Sequence, residues 1–188
     1  NGDKNICRTY IGDGAMNNGQ VFETFNLASL WKLPVLYIIE NNKYGMGTSV
    51  DRAAAGSDLY KRGEAFGIKG EIVDGMNVYS VIKSASKAGE YVRSGKGPYI
   101  LEVQTYRYRG HSMSDPAKYR TKAELKKYKD SDPIEIVKEH IIKKKIASKI
   151  ELEELSKKII EEIKLAADFA LQSKFPIPEE LYTDVYLK

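Results

Sequence analysis

Three residues with oxygen donors are spaced so that they can meet. Asp13 lies in Gly12-Asp13-Gly14-Ala15, and Asn42 follows Asn41, with Tyr44 two residues further on. Between Gly14 and Asn41 lie 26 residues. Each group stands where an apolar, strand-like run stops: residues 6–11 for the first and 35–39 for the second. Brought together at the edge of a parallel sheet, one carboxylate and one amide oxygen suit a small, oxygen-loving cation that carries a diphosphate. The Tyr44 backbone carbonyl could join them, and Asn41 is assigned the structural part of the pair. Gly14 and Ala15 let the backbone approach a ligand closely, with the N–H groups of a following helix facing a phosphate. Taken singly, Asp13 also fits a helix cap or a turn, and the two asparagines fit a plain turn.

A βαβ unit would position these groups. Val21, Phe22, Phe25, Ala28 and Leu30 recur at helical spacing, so residues 19–32 read as a helix. Pro34 closes the connection, and 35–39 reads as a strand covered on both faces. A glycine-punctuated loop runs from Asn42 to Ser49. A short helix is expected over 58–66, a strand over 69–73, an amphipathic helix over 78–93 and a strand over 99–106. The polar stretch 107–120 reads as a functional loop. Helices follow over 121–130, 133–146 and 150–173, and residues 175–178 read as an extended terminator. The fold class is α/β, a doubly wound, mostly parallel sheet (residues 1–120) with a helical C-terminal extension (121–188) packing on the same domain.

Composition narrows the function classes. Hydrophobic residues make up 42% and charged ones 30% of 188 residues, as in a globular chain. No apolar run is long enough for a membrane-spanning helix. The net charge of +4 is spread and interleaved with Glu, which argues against a nucleic-acid partner. A single cysteine, Cys7, points to a reducing compartment and is read as core. Residues 1–5 are a turn-like lead into a strand without an initiator Met, so the chain is expected to be the C-terminal part of a longer polypeptide.

His111, one of two histidines, lies in a glycine-flanked polar loop, where an imidazole can take or give a proton near neutral pH or simply be solvated. His140 falls in a Lys/Ile-rich helical stretch and reads as surface or partly packed. Arg107, Tyr108 and Arg109 flank His111 and could anchor the loop on anionic groups. Without a ligand those charges are expected to lack a partner and the loop to be mobile.

The Gly-Asp-Gly and Asn-Asn pair resembles the thiamin diphosphate fingerprint. The likeness extends through the segments 41–49, 60–63, 73–76 and 104–116, and the chain is similar there to the alpha subunits of pyruvate dehydrogenase E1, of the thiamin diphosphate-dependent 2-oxoacid dehydrogenase E1 family. The resemblance implies a sheet of the thiamin diphosphate-binding type and oxidative decarboxylation of pyruvate with reductive acetylation of the lipoyl group of E2. It implies Mg²⁺ held by Asp13, Asn42 and the Tyr44 carbonyl, diphosphate contacts from Gly14 and Ala15, and His111 as the catalytic, cofactor-facing loop residue. It implies an α2β2 assembly with an E1 beta subunit and a lipoyl-domain partner, so an isolated fragment should be inactive. Ser49 and Ser112 match positions that mitochondrial members phosphorylate, but Lys118 stands near a third such serine and the loop is a residue shorter. Met16-Asn17-Asn18 also departs from the usual Ala-Asn-Gln. The missing third serine and the shorter loop favour a bacterial, cytoplasmic enzyme over one of the mitochondrial matrix, and the change at 16–18 is a mild one. Acetoin and branched-chain 2-oxoacid enzymes are the nearest alternatives, and a non-catalytic assembly module is the alternative from another class.

Overall fold

Runs of β-branched and aromatic residues flanked by Gly and Pro fold as strands, and here four of them lie parallel in the order β1-β2-β6-β5. The computed structural model describes residues 3–186; Asn1 and Gly2 of the turn-like lead lie outside them. The strands are β1 (Cys7–Gly12), β2 (Val35–Asn41), β5 (Lys69–Asp74) and β6 (Tyr99–Gln104). Helix α1 (Gly19–Leu30) joins β1 to β2, and α3 (Val78–Arg93) joins β5 to β6. The polar stretch after β2 holds a two-residue hairpin, β3 (Tyr44–Gly45) against β4 (Thr48–Ser49), then α2 (Val50–Ala53) and a 3-10 helix (Leu59–Phe66).

Alternation along β2 sends side chains to opposite faces. Tyr37 and Ile39 join Met16, Phe25, Ala28, Leu59 and Ile100 on one face. Leu36 joins Val73, Ala88, Val92 and Leu101 on the other. Both faces of the sheet therefore carry a core, the α1 side filled by aromatic packing such as Phe25 edge-on to Tyr37 at 4.8 Å.

Two expectations change. Cys7 is exposed, not core: among the described residues β1 has one strand neighbour, and most of its side chains stay accessible. Helix α1 stops at Leu30 rather than 32. Its end is a Schellman pair, Leu33 N to Ala28 O and Lys32 N to Ser29 O, with Lys32 at φ 49° in the place glycine usually takes.

The chain divides into two compact units, Asn1–Val137 and Lys138–Lys188. The first includes α4 (Lys122–Lys129), and α5 (Pro133–Lys143) begins in it. The second is dominated by α6 (Lys149–Gln172), whose start is closed by a Ser148/Glu151 capping box. The terminator expected over 175–178 runs into a 3-10 turn, Pro178–Tyr182. Among the described residues, no helix is long and apolar enough to cross a membrane.

Candidate functional site

Parallel strands end on the same side, so β1, β2 and β6 deliver their following loops to one crevice. Gly12 pairs with Glu40 and Asn41 with Gln104, which sets the Asp13 turn, the Asn42 loop and the 107–120 loop next to one another. A cavity of about 490 Å³ opens there, lined by Asp13, Gly14, Ala15, Asn42, Tyr44 and His111, with Arg107 and Met46 at its wall. All six residues singled out in the sequence line it.

Asp13 is 4% exposed although most of the strand before it is accessible. Burial pushes its carboxyl above the ordinary value, against the pull of the Asp13 and Asn42 backbone N–H groups and the Arg107 and Lys43 charges. Asp13 caps no helix. Gly14 is the N-cap of a one-turn 3-10 helix, Ala15–Asn17, and α1 begins only after Asn18, which makes no side-chain cap bond. The expected helix start behind Gly14 is thus a single tight turn, without the dipole of a long helix. Arg62 holds that turn by donating to Met16 O at 2.6 Å and Asn17 Oδ1 at 3.0 Å.

Asn41 and Asn42 separate by role. Asn41 is 1% exposed and donates from Nδ2 to Glu102 Oε1 at 2.8 Å, while its Oδ1 accepts from Lys43 N. Asn42 faces the cavity, its Oδ1 accepting from Tyr44 N at 3.3 Å. The next residue, Gly45, approaches Gly14 so closely that a Cβ on Gly45 would stand 3.1 Å from the Gly14 Cα and 3.7 Å from Asp13 Oδ2. Two facing glycines let the hairpin rest on the Asp13 turn.

The loop after β6 is braced by hydrogen bonds, contrary to the expectation that its cations would lack partners. Arg107 donates to Tyr44 O at 3.2 Å, Met46 O at 2.6 Å and Tyr119 Oη at 3.0 Å. Arg120 donates to the Arg107 and Tyr108 carbonyls. Asp115 accepts from His111 N at 2.7 Å, Ala117 N at 2.8 Å and Tyr119 Oη at 2.8 Å. Those donors pull the Asp115 carboxyl down to about 2. His111 thus reaches the cavity on a backbone tied down by Asp115, its own side chain exposed.

Reading the sequence missed four supports: Arg62, Glu102, Asp115 and Glu124. Glu102 is fully buried, its second oxygen accepting from Tyr60 N at 3.0 Å. Glu124 accepts from the Tyr44 and Tyr106 hydroxyls. Burial and that carboxylate push the Tyr44 phenol up to about 12. Arg62 and Asp115 fall inside segments that carry the family likeness, and Glu124 falls in a helix-start pattern, but none of these signals names distant partners.

Among the described residues there is no cluster of three or more His, Cys, Asp and Glu able to hold a metal. The cavity offers one carboxylate and neutral oxygens, the donor set of a hard divalent cation rather than of zinc. Its residues fit such an ion. The Tyr44 carbonyl and the Asn42 amide oxygen each accept one hydrogen bond and keep a second lone pair, and the Asp13 carboxylate is desolvated.

A parallel sheet with both faces covered and a polar crevice at its carboxyl edge marks the open α/β class, whose ligands bind in that crevice. The sequence profile of the dehydrogenase E1 component family matches residues 1–179, and the chain belongs to that family. It is 54% identical to the pyruvate dehydrogenase E1 component subunit alpha of Rickettsia felis, over 99% of this chain and 57% of the relative. The Rhizobium meliloti subunit is 54% identical, over 99% of this chain and 54% of the relative. The somatic mitochondrial form of Bos taurus is 50% identical, over 99% and 48%. The chain thus spans about half the length of the curated relatives it matches.

Proposed function

We propose that this chain is the cation- and diphosphate-binding part of a pyruvate dehydrogenase E1 alpha subunit. The observation that carries the reading is the buried Asp13 carboxylate in a cavity that Asn42, Tyr44, His111 and Arg107 also line. Asp13, the Asn42 side chain and the Tyr44 carbonyl would hold Mg²⁺, and Gly14 and Ala15 would face the diphosphate. Thiamin diphosphate, when bound, supplies a nucleophilic carbon for the 2-oxo carbonyl and an electron sink for decarboxylation.

The chain's own residues do the rest. Asp13 places its carboxyl where water is largely excluded, so that a bound cation would favour the charged form and be held more strongly than in water. Arg107 brings positive charge to the cavity wall, where it offsets phosphate charge. His111 can hold or pass a proton at its exposed imidazole. The names of the relatives support pyruvate as substrate. An E1 beta subunit and the lipoyl domain of E2 are the proposed partners, and the bacterial relatives support a cytoplasmic setting. Assaying the reconstituted complex on pyruvate, acetoin and a branched-chain 2-oxo acid checks the substrate.

The test of the site is Asp13→Ala in the assembled alpha–beta complex, with Mg²⁺-dependent thiamin diphosphate affinity read by calorimetry. Affinity is expected to fall at least about tenfold, the scale of one lost charge-assisted contact. Undiminished affinity would refute the assignment.

A further inference from the structure

Two helices of this chain start on the pattern Ser/Thr-x-x-Glu: Thr121 to Glu124 at α4, and Ser148 to Glu151 at α6. At α6 the box closes both ways, Ser148 Oγ accepting from Glu151 N and Glu151 Oε2 accepting from Ser148 N at 2.7 Å. At α4 only the first half forms, Thr121 Oγ1 accepting from Glu124 N at 3.1 Å. The Glu124 carboxylate is directed elsewhere. Its Oε1 accepts from Tyr44 Oη at 2.9 Å and Tyr106 Oη at 3.1 Å, and its Oε2 lies 3.2 Å from the same Tyr44 hydroxyl. A local bond that the same pattern makes at α6 is replaced here by bonds to residues 80 and 18 positions away.

Tyr44 is where that matters. Its N–H is held by Asn42, its carbonyl accepts from Arg107, and the following Gly45 rests on Gly14 beside Asp13. The Tyr44 ring also lies 5.1 Å from that of Tyr119, in the loop that carries His111. Fixing the Tyr44 hydroxyl therefore fixes the hairpin over the Asp13 turn.

We propose that Glu124 is a positioning residue for this hairpin. Through Tyr44 it holds residues 44–47 over Asp13 and so sets the affinity of the cavity for a diphosphate carrying a divalent cation. The affinity half of the inference rests on the cavity reading given above; the positioning half does not.

Hydrogen–deuterium exchange on the ligand-free full chain tests the positioning. Glu124→Ala is expected to speed exchange of the 44–47 amides about tenfold or more, the scale of hydrogen bonds to a charged acceptor. Glu124→Gln, which keeps one acceptor, restores part of the protection. Tyr44→Phe reproduces the loss, and combining it with Glu124→Ala adds little, because both remove one shared interaction. Thr121→Ala weakens the α4 start but leaves the carboxylate in place, so it should spare these amides. Unchanged exchange in Glu124→Ala, or equal acceleration by Thr121→Ala, overturns the proposal.

Calorimetry with Mg²⁺ and thiamin diphosphate on the alpha–beta complex tests the affinity. Glu124→Ala should weaken binding at least about tenfold. Intact affinity beside accelerated exchange overturns the affinity half. If Asp13→Asn binds as the unsubstituted protein does, the cavity reading itself fails, while the exchange measurement still decides the positioning.

Discussion

Asp115 shows what one residue contributes to the site without facing the ligand. Its carboxylate gathers two backbone N–H groups and the Tyr119 hydroxyl, and one of those N–H groups belongs to His111. These bonds favour the charged form and hold its pKa at about 2, below the ordinary 3.8. A carboxyl whose folded pKa is depressed stabilises the fold above its unfolded value and stops doing so as pH falls through the folded one. The Asp115 brace is therefore expected to be complete above about pH 4 and to dissolve as the pH approaches 2. Carboxyl NMR titration should place the Asp115 midpoint near 2, with the His111 amide shift following it. A midpoint at 3.8 would show that the brace is not formed. Asp13, Asn42, Tyr44 and His111 were legible because each stands at a recognisable punctuation of the chain. Asp115 was not, since its donors are supplied by the fold of the loop itself.

Element interiors followed apolar periodicity, and some element ends did not. The helix over 78–93 and the strands at 35–41 and 69–74 lie close to where spacing alone puts them. Two helix ends were misread for one reason: α1 and α5 each close on a Schellman pair whose left-handed residue is a lysine, Lys32 at φ 49° and Lys145 at φ 55°. Glycine is the usual signal for that turn, and neither helix has it. Lysine there carries a Cβ clash that glycine lacks, worth about 1–2 kcal/mol before glycine's greater unfolded-state entropy is subtracted. Lys32→Gly is accordingly expected to raise the unfolding free energy by roughly 0.5–1 kcal/mol in urea denaturation. A loss of stability would mean that the Lys32 side chain makes a compensating contact. The β3–β4 hairpin was also hidden, because two-residue strands leave no periodicity to detect.

At the scale of the molecule, Glu102 joins parts that the chain keeps far apart. It sits on a central strand, fully buried, with one oxygen on Asn41 of β2 and the other on Tyr60 at the start of the 3-10 helix. Glu102→Gln leaves one acceptor for two donors. Rotating the Asn41 amide to compensate would strip Lys43 N of its acceptor. The substitution should cost about 2–3 kcal/mol, the scale of a buried hydrogen bond to a charged group. Thermal and urea unfolding measure it, and a near-neutral result would show that the network re-pairs without loss. The amino-acid sequence by itself determined the parallel α/β class, the residues at the ends of β1 and β2, and the resemblance to E1 alpha subunits, since periodicity and motif spacing are local properties. Tertiary structure alone decided that Cys7 lies on an accessible edge, that Asp13 is buried and caps nothing, and that Arg107, Asp115 and Glu124 brace the cavity. Each of those outcomes depends on which distant groups remove water from a side chain or satisfy its hydrogen bonds, and spacing along a chain does not encode that.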